Sequence, residues 1–114
     1  MIIKNVTKNT IIGTNFKFCS NNFSKFMGLM FSRKKNNTLI FKFNKEKIIS
    51  LHMFFVFYPI DVLFLDKNKI VVEIKENFMP FTFYTPVRKA KYIIEIPNKT
   101  IKKTKTRIGD KISF

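Results

Sequence analysis

Short runs of β-branched and aromatic residues recur along this chain, separated by clusters of Asn, Lys, Pro and Gly. Runs of that length and composition, bounded by turn formers, are the signature of strands. They predict strands over 2–6, 15–18, 38–43, 48–57, 61–65, 70–74, 81–84, 92–96 and 111–114. One segment follows a different period. Phe23, Phe26, Met27 and Met30 fall at i, i+3, i+4 and i+7, which stacks them on one helical face. Ser20 or Asn21 can cap its start and Gly28 suits its end, so residues 20–30 read as one short helix over an open end of a β core.

The run LHMFFVFYPIDVLFLD, residues 51–66, is almost wholly apolar yet holds His52, Pro59 and Asp61. Residues 61–65 carry almost nothing polar on either face after Asp61, as a strand buried on both sides would. Pro59 cannot donate to a ladder and predicts a bulge or break just before Asp61. The polar residues 66–69 separate DVLFL from IVVEI and predict a hairpin, with Asp66 and Asn68 supplying the turn. In its second strand Glu73 and Lys75 alternate with Val72 and Ile74, so one face reads as solvated. No repeat or linker divides the 114 residues, which are expected to form one domain with one core.

The formal charge of +15 changes this picture less than its size suggests. Lys, Asn, Ile and Phe supply 61 residues, and their codons are all A/T-rich, so base bias alone would produce the excess. Only Arg33, Arg88 and Arg107 offer the guanidinium suited to bidentate phosphate contacts. The basic tail 98–111 lacks the interleaved aromatics of single-strand binders. Cys19 is the single cysteine, which excludes an intrachain disulfide and a multi-thiolate metal site. The apolar run 51–65 is shorter than the ~20 residues of a membrane span, and the chain opens without an export leader. A cytoplasmic protein that does not engage the membrane is expected.

Five motifs occur in order: GLMFSRK at 28–34, TLIFKF at 38–43, the 51–74 segment, AKYIIEIPNKTI at 90–101 and RIGDKISF at 107–114. From about residue 15 onward the chain resembles the prokaryotic domain-of-unknown-function family 192, the uncharacterised ACR family, in its archaeal form. The resemblance maps the family's recurring elements onto Gly28 to Phe31, onto Met53, Pro59, Ile60 and Asp61, onto Ile94, Glu95 and Ile96, and onto Gly109 and Asp110. The chain departs from the pattern at His52, where an aromatic is common, and at Phe55, Val56 and Phe57, which replace a Thr/Asn pair. Ser32 stands where an arginine is usual, and Arg33 follows it. The resemblance implies an all-β protein, mainly strand with one short helix, in a compact jelly-roll-like or clam-like β-sandwich with no accepted enzymatic activity.

No P-loop, dinucleotide fingerprint or His-x-x-x-His pair is present, and neither a metal nor a cofactor is expected. Asp61 carries the main chemical question. A carboxylate in an apolar run must be hydrogen-bonded or paired, which makes it either a structural acceptor or a desolvated acid. A bulge at Pro59 could bring His52 and Asp61, of opposite parity, to one side. The sequence therefore reads as a monomeric or weakly dimeric domain binding a small ligand or protein partner near His52, Asp61 and Arg33, without catalysis. A basic nucleic-acid-associated protein is the alternative. A hydrolase or lyase on the same scaffold comes third.

Overall fold

The computed structural model describes residues 2–20, 38–53 and 57–114. Their short apolar runs form strands β1 (Ile3–Asn5), β2 (Thr10–Gly13), β3 (Phe16–Ser20), β4 (Thr38–Lys47), β5 (Leu51–His52), β6 (Ile60–Leu65), β7 (Val71–Phe78), β8 (Phe83–Tyr84), β9 (Ala90–Pro97) and β10 (Ile112–Ser113). The helical element among these residues is α1 (Thr100–Thr104). The fold is all-β. Of the expected helix over 20–30, Ser20 ends β3 and residues 21–30 lie outside the described residues.

The centre is a five-stranded mixed sheet in the order β3-β4-β9-β6-β7, with β3 and β4 parallel and the other pairs antiparallel. Strand alternation sends the side chains of β6 to two different cores. Ile60, Val62 and Phe64 join Leu39, Phe41, Leu51, Met53 and Phe78 on one face. Leu63 and Leu65 join Ile3, Ile12, Ile40, Ile94, Ile96, Ile101 and Ile112 on the other. The first face is covered by the two-stranded β5-β8 sheet, the second by the β10-β1-β2 sheet and α1. Every residue of β6 is consequently buried, as its unbroken apolar run requires.

The hairpin falls where the sequence places it. Asp66 Oδ1 accepts the backbone N–H of Asn68 at 2.8 Å and of Ile70 at 3.0 Å, so the aspartate closes its own turn. The left-handed residue is Lys69, at φ 62°, rather than Asn68. Pro59 ends the preceding chain and β6 starts at Ile60. The irregularity that accompanies it lies in the neighbouring strand. Ile60 pairs with Phe78 and Val62 with Lys75, so β7 spends one more residue than β6 over that interval, opposite Asp61.

Several features differ from the sequence expectation, the helix α1 among them. The 48–57 run gives only the two residues of β5, with 54–56 outside the described residues. β2 arises from a Thr-Ile-Ile-Gly stretch not predicted as a strand. Glu73 is buried instead of solvated, because the Tyr84 hydroxyl donates to its Oε2 and the amides of Val87 and Arg88 donate to its Oε1, each at 2.9 Å. A carboxylate with three donors can leave water without the usual cost.

A basic cleft beside Asp61

Asp61 is 1% exposed, and its two oxygens are used separately. Oδ1 accepts the N–H of Asn77 at 3.0 Å, and Oδ2 accepts the N–H of Ile101 at 3.0 Å. Both donors are amides that regular structure leaves over. Asn77 sits at φ 50° in the irregular stretch of β7, where the ladder to β6 is broken. Ile101 lies in the first turn of α1, where N–H groups have no helical acceptor, and Lys99 ahead of it offers no side-chain cap. Asp61 thus caps a helix from a distant strand. Among the described residues its partners are these two amides, one from β7 and one from α1.

That bridging fixes the two walls of a cleft. On one side stand Glu76 and Asn77, on the other Asn98, Lys99 and Lys102, enclosing about 380 Å³ with Asp61 at the base. Glu76 and Lys102 also border a larger open lobe of about 1050 Å³. Ile74, Ile101 and Ile108 give that lobe an apolar surface, and Lys8, Lys105 and Arg107 stand around it. The ion pair among the described residues joins Lys8 to Asp110 at 2.9 Å. Lys99, Lys102, Lys105 and Arg107 are exposed and have no carboxylate partner among the described residues.

The loop that carries Arg107 is anchored from below. Gly109, at φ 97°, supplies the backbone conformation that lets Asp110 turn back on its own loop. Asp110 accepts from the Arg107 N–H, from Asn5 Nδ2 and from Lys8 Nζ, each at 2.9 Å. Burial pushes this carboxyl up, but the Asn5 amide, the Lys8 ammonium and the Arg107 N–H together hold it below its ordinary value. Asn5, fully buried, also donates to Thr106 Oγ1 at 3.1 Å. Asn5 was invisible in the sequence, where it looks like one more polar residue within the expected strand 2–6.

The sequence-predicted residues do not meet in one place. His52 is exposed on β5, its ring 6.3 Å from that of Phe83 on β8. The neighbours Leu51 and Met53 enter the core on the first face of the central sheet, whereas Asp61 points to the second face, toward Ile101. The sheet therefore lies between His52 and Asp61, and no bulge brings them together. Arg33 falls outside the described residues. The basic residues of 99–107, which read as a solvated charge run, are the ones that surround the cleft with Asp61.

Two other polar groups sit on the first face. Tyr84, hydrogen-bonded to Glu73, has its hydroxyl pushed up to about 12, by that hydrogen bond first and then by burial and the Glu73 charge. Glu95 is buried on β9 between its ladder partners Leu39 and Val62. Burial, and after it the Glu95 charge, pushes the Cys19 thiol up, with Lys17 partly opposing. Cys19 is accordingly held as a thiol, the opposite of an activated nucleophile. Among the described residues no three His, Cys, Asp or Glu side chains gather to hold a metal, and no helix is long and apolar enough to cross a membrane.

Comparison with known proteins places this architecture. The UPF0127 protein of Pyrococcus furiosus is 40% identical over 112 residues, covering 96% of this chain and 95% of its own. The UPF0127 protein of Pyrococcus horikoshii is 35% identical over 115 residues, covering 99% and 98%. A crystal structure from Novosphingobium aromaticivorans, of a protein of unknown function, superposes with a TM-score of 0.78 at 18% identity, covering 99% of this chain and 82% of that one. One from Sinorhizobium meliloti, provisionally described as a transcription regulator, gives 0.82 at 18% identity over 98% and 89%. Both share the fold. The profile of the family described as Uncharacterized ACR matches residues 3–114. The chain belongs to the domain-of-unknown-function family 192.

Proposed function

We propose that this protein is a non-catalytic binding domain whose basic cleft receives a small anionic ligand. The observation that carries the reading is the ring of cations at one groove, Lys99, Lys102, Lys105 and Arg107, without carboxylate partners among the described residues. Cations at a surface usually disperse or find acidic neighbours, and four bordering two adjoining concavities that share Lys102 favour a negatively charged occupant. The carboxylates nearby are poorly suited to acid–base work. Asp61 has both oxygens engaged by amides, and Glu76 is the one other carboxyl, with no histidine, among the described residues that line the cleft. Candidate acids and bases need a partner and a reacting position within hydrogen-bond reach.

Nucleic acid is the competing occupant, favoured by the +15 charge. Among the described residues that line the cleft, none is an aromatic on which a base could stack. Titration with inorganic phosphate, followed through backbone amide resonances, tests the proposal. The expected result is saturable shifts confined to 74–77 and 98–108. Shifts scattered over lysines throughout the chain would refute a specific cleft.

A further inference from the structure

The two lobes of the cleft differ in what they can accept, and the difference narrows the ligand class. In the larger lobe Lys102, Lys105 and Arg107 stand beside the apolar surface of Ile74, Ile101 and Ile108. Apolar walls lower the local dielectric and strengthen a charge contact made against them. Arg107 adds a planar guanidinium that engages two oxygens of one phosphate at once. A monovalent carboxylate would leave most of this charge uncompensated, whereas a phosphate monoester carries close to two negative charges near neutral pH.

The smaller lobe has the opposite character. Asp61 lies at its base and Glu76 at its junction with the larger lobe, and these two carboxylates offset the ammonium groups of Lys99 and Lys102, so no excess of positive charge is left there for a second anionic group. The remaining polar side chains are carboxamides. Asn98 Nδ2 donates to Asn77 Oδ1 at 3.2 Å, which leaves Asn98 with its carbonyl oxygen and its second N–H, and Asn77 with its own amide hydrogens. Neutral donors and acceptors of this kind, with the Glu76 carboxylate as a further acceptor, match hydroxyl groups.

We infer that the occupant is a phosphate monoester with a polyhydroxylated body, its phosphate among Lys102, Lys105 and Arg107 and its hydroxyls against Glu76, Asn77 and Asn98. This inference rests on the anion-binding reading of the cleft and adds the ligand class. It also favours a ligand with one phosphate, because at the hydroxyl end two carboxylates offset the two ammonium groups. Binding here involves no bond making or breaking.

Calorimetric titration of the full chain with ribose 5-phosphate, ribose and inorganic phosphate at one ionic strength provides the test. Ribose 5-phosphate should bind about tenfold or more tightly than inorganic phosphate, and ribose alone should show no heat of binding. Lys102→Gln should weaken both phosphates, while Asn98→Ala should reduce ribose 5-phosphate to the level of inorganic phosphate and leave the latter unchanged. Melting curves of the variants identify any that fail to fold, and Asn98→Asp, which adds a negative charge beside the hydroxyl end, then serves as a second variant expected to weaken ribose 5-phosphate selectively. Equal affinities for the two phosphates would overturn the inference and leave the anion cleft standing. Absence of saturable binding by either would overturn both. Displacement of ribose 5-phosphate by mixed-sequence RNA at lower concentration and physiological salt would assign the cleft to nucleic acid instead.

Discussion

The Asp61 carboxylate and the Ile101 amide, 3.0 Å apart and 40 residues apart in sequence, join β6 of the central sheet to the first turn of α1. The second oxygen does the same for Asn77. One buried side chain therefore sets the spacing of both walls of the cleft. Asp61→Ala leaves the buried Ile101 amide and the partly buried Asn77 amide without acceptors and should cost about 2–4 kcal/mol. Asp61→Asn keeps one acceptor but turns an NH₂ toward the other amide, so an intermediate loss is expected. Thermal melts of the three proteins check this. A variant as stable as the parent would mean that the carboxylate is strained and held for another purpose.

Asp110 gives stability an acid dependence of known sign. Its folded carboxyl ionises below the ordinary 3.8, so as pH falls the unfolded chain takes up the proton first. Its contribution is complete above the ordinary carboxyl range and is lost as pH falls through the folded value. Urea unfolding at a series of acidic pH values should show Asn5→Ala less stable than the parent near neutrality, with a shallower fall in acid. Parallel curves would show that the Asn5 hydrogen bond does not depress Asp110.

Tyr84 predicts an alkaline counterpart. With its hydroxyl pushed up to about 12, the unfolded tyrosine, near 10, loses its proton first as pH rises. The contribution is full below the unfolded value and disappears between the two. Ultraviolet titration of tyrosinate should resolve a late phase that Tyr84→Phe abolishes. A parent that titrates in a single phase near 10 would contradict the Glu73 hydrogen bond.

Most strands were legible as apolar runs between turn formers, β2 and the extent of β5 excepted, and β6 could even be read as doubly buried because nothing polar follows Asp61 on either parity. What the sequence withheld were relationships between distant residues. Asp61 announced that it needed donors, but not that they would come from a bulge in β7 and from the first turn of α1. Thr100 to Thr104 carry no apolar period long enough to signal a helix. Glu73 looked solvated because its three donors lie 11 to 15 residues away. His52 shared an apolar run with Asp61, yet strand alternation and the layered core put the sheet between them. The cleft was hidden in a lysine excess that codon bias would also produce, and only folding distinguishes cations that converge from cations that scatter.

Charge placement, rather than total charge, is the central claim, and two matched triple variants test it most directly. One replaces Lys102, Lys105 and Arg107 in the cleft with Gln; the other replaces the exposed Lys42, Lys45 and Lys89. Each removes three positive charges. Phosphate affinity measured for both at one ionic strength should fall about tenfold or more in the cleft variant and stay near the parent value in the other. Equal losses in the two would show that the protein attracts anions only through its overall charge, and the cleft would hold no specific ligand.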